Sequence, residues 1–263
     1  LLMGFWMQFL LFAIPGFIIY YGVFYGTPKL VEKGIPFIYS FWLWMWAPVL
    51  LLLPVSIGLF VFIDGGPVTV AALVERCRLN PIRQGDWLWI GLAVILTIVL
   101  DQLLEPIGKK LANYKLFAPP SYLPAPFNPL KKFSMPPREF FGVPLKGNWK
   151  LLFFFVPLHL LAMFSEEIMW RGYVLPLQEM MFGHLAWIVN GLLWAWVLHI
   201  ALKWHVIGMI PSMLIAPLIA QYTQSTWASF AVHAIGNAPL WIILLIGILK
   251  AQKPIDGEQK IHL

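Results

Sequence analysis

The chain of 263 residues is 60% hydrophobic and 16% aromatic, with 11% charged residues and a mean hydropathy of +0.78. That balance excludes an ordinary soluble domain and implies a polytopic membrane protein. The formal net charge of +6 does not point to nucleic acid, because Lys109, Lys110, Lys115, Lys131, Lys132, Arg138, Lys146 and Lys150 crowd one connection between apolar segments, as membrane-flanking residues do.

A hydrocarbon core about 30 Å thick needs roughly 20 apolar residues per helix. Spans are expected near 4–25, 37–63, 87–104, 150–182, 185–202, 206–222 and 227–250. The expected fold is an all-α membrane helix bundle of about seven transmembrane helices, with a range of six to eight given the usual boundary error. The first apolar stretch lacks a basic leading region and contains Pro15, Tyr20 and Tyr21, so it is expected to span rather than to be a cleaved leader. Residues 71–87, "AALVERCRLNPIRQGDW", read as a short amphipathic piece at the headgroups. Cys77 is the lone cysteine, which leaves no intrachain disulfide and no cysteine-rich metal site.

Residues 105–149 contain "FAPPSYLPAPFNPLKKFSMPP", too rich in proline for helix or sheet, and are expected to be an extended linker hugging the interface. Their basic residues place this connection in the cytoplasm, with Lys29, Lys33, Lys250, Lys253 and Lys260, if there are seven spans. No internal repeat is evident. One membrane-embedded domain over 1–263 is expected, with its core helices in 150–250.

The stretch "FSEEIMWRGYVLP" at 164–176 sets two carboxylates and an arginine in this greasy background. On a helix Glu167 and Arg171 share a face and can form an ion pair, while Glu166 is rotated about 100° and has no local partner. Interfacial solvation of both is the plainer alternative. His199 lies toward the end of an apolar span, and His233 and Asn237 share a face of the last long helix. Burying these groups singly costs free energy, so they are expected to converge on one polar cavity. His159 shares nearly the same face as Glu166 and is within reach of that cavity, although a core role is the plainer expectation. His184, His205 and His262 look interfacial or terminal.

These residues carry a resemblance. "EEIMWR" at 166–171 is similar to the EExxxR motif of the CPBP family (CAAX protease and bacteriocin-processing, also ABI), which includes the type II CAAX prenyl endopeptidases. "STWASFAVHAIGN" fits its HxxxN motif at His233 and Asn237, and the run up to His199 stands in for FxxxH. The family's aromatic residue four before that histidine is here Ala195, between Trp194 and Trp196. The resemblance covers about 150–250, and 71–90 more loosely.

The resemblance implies an intramembrane endopeptidase acting on a membrane-associated protein or peptide, prenylated in some relatives. Glu166 would be the general base for a water that His199 helps to hold, His233 and Asn237 would bind the developing oxyanion, and Glu167 with Arg171 would be a structural ion pair. Glutamate-activated water without metal is the implied chemistry. Zn²⁺ held by Glu166, His199 and His233 is the alternative, although there is no HExxH and no helix carries histidines at i, i+4. Competing readings are a non-catalytic binding or bacteriocin-immunity protein on the same scaffold, and a transporter, for which the matching half-repeats are missing. The bilayer is the expected environment, the cell membrane if the source is bacterial, and nucleic acid is not an expected partner.

Overall fold

The computed structural model describes residues 3–250. Lys253, Lys260 and His262 therefore lie outside the described residues. Helix α1 covers Phe5–Glu32, α2 Phe37–Phe62, α3 Val70–Arg76 and α4 Asp86–Leu111. Then follow α5 (Trp149–Glu167), a π-helical segment (Ile168–Val174) and α6 (Leu175–Phe182). After a turn come α7 (Ala186–Leu192), a second π-helical segment (Leu193–Val197) and a 3-10 segment (Leu198–His205). The described residues end with α8 (Ile210–Thr223) and α9 (Thr226–Lys250).

Among the described residues, five segments are long and apolar enough to cross a membrane: Phe5–Glu32, Phe37–Phe62, Asp86–Leu111, Trp149–His205 and Thr226–Lys250. The fourth, 57 residues long, does not run straight. Asn190 Nδ2 donates to the Trp170 carbonyl at 3.0 Å and to Gln178 Oε1 at 2.9 Å, whereas about 20 residues of straight helix would separate such groups by roughly 30 Å. The reversal is made at Gly183, whose φ of 57° suits a residue without Cβ. Trp149–His205 thus supplies two antiparallel arms, and with the shorter Ile210–Thr223 the helical bundle expected from the sequence is present.

Several boundaries differ from expectation. The third span is not short: Asp86–Leu111 runs 26 residues, continuing through Asp101 and Glu105, because the amphipathic end of a helix keeps its hydrogen-bond ladder outside the apolar window. The 150–182 span is not one regular helix, since the π-helical segment interrupts it at the charged motif. The proline-rich connection accordingly begins after Leu111. It contains a short antiparallel pair, β1 (Glu139–Phe140) with β2 (Val143–Pro144), and Leu123, Phe140, Phe141 and Leu145 are buried in the bundle. Phe141 stacks on Phe41 with ring centroids 4.7 Å apart, so these aromatics fill one end of the molecule.

Apolar side chains cover much of the outside, among them Trp6, Phe17, Phe62, Leu103 and Phe153, while Gln8, Glu167, Arg171, Gln178, Asn190 and Ser229 are buried. Polar groups gathered inside and apolar groups outside are what a bilayer solvent demands. This is an integral, multi-pass membrane protein. Between α2 and α4, α3 starts at an N-cap where Thr69 Oγ1 accepts from the Ala72 amide at 3.3 Å. Cys77 follows it, buried, and burial pushes its thiol up to about 11, so it stays protonated and weakly reactive.

Candidate active site

The polar residues of the site come from three arms of the bundle. Glu166 and Glu167 end α5, Arg171 lies in the first π-helical segment, His199 is the second residue of the 3-10 segment, and His233 and Asn237 are on α9. The sequence places them on apolar helices. Their meeting is the low-energy arrangement for polar groups in such a solvent.

Glu166, His199, His233 and Asn237 all line one cavity of about 460 Å³. Its remaining wall is largely aromatic and aliphatic, with Trp42, Trp46 and Phe155 from α2 and α5, and Phe140 and Phe141 from the proline-rich connection. His159 and His205 also line it. For His159 this is a cavity position rather than a core one, and the 3-10 segment sets His205 against the last turns of α4, beside Gly108. His184 is exposed, next to the reversal at Gly183.

Glu166 is not without a partner, as its helix alone suggested. Its Oε2 accepts a hydrogen bond from Trp194 Nε1 at 2.7 Å, which leaves Oε1 free among the cavity-lining groups. Trp194 is 2% exposed and touches the rest of the site as well. Its carbonyl oxygen lies 2.9 Å from His199 Nδ1, the Arg171 guanidinium sits 3.7 Å above its ring, and its ring centroid is 5.0 Å from that of His233. Sequence reasoning missed this residue. The available signal was its place beside Ala195, where the family motif has its aromatic.

The π-helical geometry accounts for that departure. A π-helix closes its hydrogen bonds between i and i+5 instead of i and i+4. Over Leu193–Val197 the chain gains one residue per turn, so Trp194, five before His199, stands where a residue four before would stand in an α-helix. His199 itself has φ −89° and ψ 23°, outside helical geometry, in the bridge region where many active-site residues sit.

Glu167 is fully buried. The expected pair with Arg171 is present, with Nη1 3.4 Å from Glu167 Oε1. Glu167 does more than this: His233 Nδ1 lies 2.9 Å from Oε1, and Ser229 donates its hydroxyl to Oε2. Two helices are thereby tied at one carboxylate. Among the described residues the Arg171 nitrogens make no well-aligned hydrogen bond, and the cation is held by the carboxylate and by the Trp194 ring face, a favourable arrangement for a desolvated guanidinium.

Donor logic fixes two ring orientations. A carbonyl oxygen only accepts, so His199 Nδ1 carries the proton and its Nε2 is left as an acceptor. An ionised carboxylate also only accepts, so His233 Nδ1 is protonated toward Glu167. Asn237 spends one Nδ2 hydrogen on the His233 carbonyl at 3.0 Å, leaving the second. Among the described residues, no group of three or more His, Cys, Asp or Glu side chains is gathered closely enough to hold a metal ion.

Residues 148–239 match the family model described as type II CAAX prenyl endopeptidase Rce1-like. This segment is similar to the Rce1-like domain. The match includes all four proposed site residues and bears out the resemblance to the CPBP family carried by the three motifs. An Rce1-like domain supports, in general terms, a CAAX-type intramembrane endopeptidase acting on protein substrates. No curated protein and no solved structure matches the chain.

Proposed function

We propose that this protein is an intramembrane endopeptidase in which Glu166 activates a water against a peptide bond of a membrane-associated protein. The observation that carries the reading is the state of Glu166: one carboxylate oxygen is pinned by Trp194, and the other is free in a cavity shared with His199, His233 and Asn237.

In this reading Oε1 of Glu166 takes a proton from the water as its oxygen attacks the scissile carbonyl carbon. His199 Nε2 accepts the water's other hydrogen and sets its lone pair toward the substrate. The tetrahedral oxyanion receives the free Nδ2 hydrogen of Asn237, and Nε2–H of His233 in its doubly protonated form, with the Glu167 carboxylate as the counter-charge. Glu166 then returns the proton to the departing amine, and the peptide C–N bond breaks. A site walled by Trp, Phe and Met excludes bulk water, which strengthens each of these interactions.

The test is quantitative profiling of peptide ends in membranes from cells making either the wild type or Glu166→Gln, at matched abundance and folding. Ends present only with the wild type are expected, with turnover lowered at least about 100-fold in the variant, the usual scale for a lost general base. Identical profiles would overturn the protease and leave a binding protein. A parallel arm with a zinc chelator is expected to leave cleavage intact. Loss of cleavage that added Zn²⁺ restores would make the site metallic.

A further inference from the structure

His159 lies outside the three motifs, and the mechanism above does not use it. It lies on α5, two helical turns before Glu166, and lines the same cavity. Trp241 Nε1 is 3.1 Å from His159 Nδ1. An indole N–H can only donate, so Nδ1 is the acceptor, the ring is neutral, and the proton resides on Nε2. The ring is clamped in place: Trp46 stacks on it with centroids 5.7 Å apart and planes 17° from parallel, and Phe155 flanks it at 5.3 Å. Trp241 meets it edge-on at 88°. Nε2 has no partner among the described residues, nor is it one of the buried side-chain atoms lacking one. An oriented N–H donor is thus presented to the cavity.

We propose that His159 anchors the substrate by donating Nε2–H to a backbone carbonyl of the bound peptide about three residues from the scissile bond. The spacing follows from geometry. Seven helical residues advance about 10.5 Å, and an extended chain covers about 3.3 Å per residue. The acceptor is a neutral carbonyl and not a terminal carboxylate, because the cavity wall includes Asp101, Glu105 and Glu166 and, among the described residues, no lysine or arginine. Trp46 and Phe155 beside the ring call for apolar side chains flanking that carbonyl. The inference rests on the protease reading only for the identity of the bound chain as a peptide.

The test uses the full chain in detergent micelles, with His159→Phe, Trp241→Phe and the double variant, which leaves no unpartnered indole. The first probe is the peptide recovered by profiling. The double variant is expected to raise KM between five- and fiftyfold while kcat stays within about threefold, the signature of lost uniform binding. Replacing the amide that carries the proposed carbonyl by an ester, a weaker acceptor, is expected to raise KM for the wild type and not for the variant. Unchanged KM with intact folding would overturn the proposal.

If the wild type cleaves nothing, the protease reading falls, and binding decides the inference separately. A fluorescent, N-acetylated and C-amidated octapeptide of alternating alanine and leucine is expected to bind the wild type at least fivefold tighter than the variant. Equal binding would overturn it, as would tighter binding of the free-acid peptide that depends on His159. Imidazole ¹⁵N spectra give a structural readout: one ring, assigned by its loss in His159→Phe, is expected as the pure Nε2–H tautomer in the wild type and as a mixture in Trp241→Phe. An Nδ1–H tautomer in the wild type would refute the donor.

Discussion

Trp194 shows how one side chain can set the chemistry of several. A hydrogen bond to a charged group contributes about 1.5–3 kcal/mol, and here it fixes which carboxylate oxygen of Glu166 meets the water. Trp194→Phe keeps an aromatic face for Arg171 and removes the N–H together with the five-membered half of the indole. We expect kcat to fall between about 10- and 100-fold with KM nearly unchanged, measured on the peptide found by profiling; an unaltered kcat would reduce Trp194 to packing. The two adjacent glutamates were separable in the sequence by the i, i+4 spacing of Glu167 and Arg171, and that pair is present. The donor to Glu166 was not legible, because it comes from an arm 28 residues away and through a π-helical register that periodicity of 3.6 does not anticipate. For the same reason Glu167 looked like a partner of Arg171 alone, when His233 and Ser229 also meet it.

Among elements, the segment Leu193–His205 owes its place to α1. A Cβ at Gly16 would collide with the Val197 carbonyl and lie 3.0 Å from Leu198 Cα, so only glycine lets α1 approach the turn that precedes His199. Gly16→Ala is expected to lower thermal stability by about 1–3 kcal/mol, the scale of overpacking, and to lower cleavage by shifting His199. Gly91→Ala makes the control, since nothing lies within 4 Å of its Cβ position and alanine favours a helix by about 1 kcal/mol. Melting both variants in one detergent checks the contrast, and equal melting temperatures would refute the close approach. Span existence was readable because runs of apolar residues have no other stable home. The proline-rich connection was less so: composition excludes long regular elements there, but the burial of Phe140 and Phe141 depends on aromatic partners supplied by α2 and α5.

At the scale of the whole molecule, the two ends of the bundle differ in charge, and the difference bears on how substrate enters. One end gathers the α1–α2 turn, the proline-rich connection and the end of α9, joined where Tyr122 donates to the Val23 carbonyl and the Gly147 amide to that of Ile248. It carries Lys29, Lys33, Lys109, Lys110, Lys115, Lys131, Lys132, Lys146, Lys150 and Lys250, and none of these lysines is in an ion pair among the described residues. At the opposite end Arg76, Arg78 and Arg83 are each held by a carboxylate, from Asp64, Glu179 and Asp86. Uncompensated lysines flanking spans are retained on the cytoplasmic side, where anionic headgroups add roughly 1 kcal/mol of attraction per residue. The cavity lies in that half of the bundle, walled by the first part of α2, the last part of α4 and the aromatic connection. We therefore expect a reporter fused after Lys250 to be active in the cytoplasm, a tag inserted at Gly65–Gly66 to face the other side, and cleavage to require the substrate segment on the cytoplasmic face. A C-terminal reporter active only outside would invert the topology and place substrate entry at the far face of the membrane, with the aromatic connection closing the site from there.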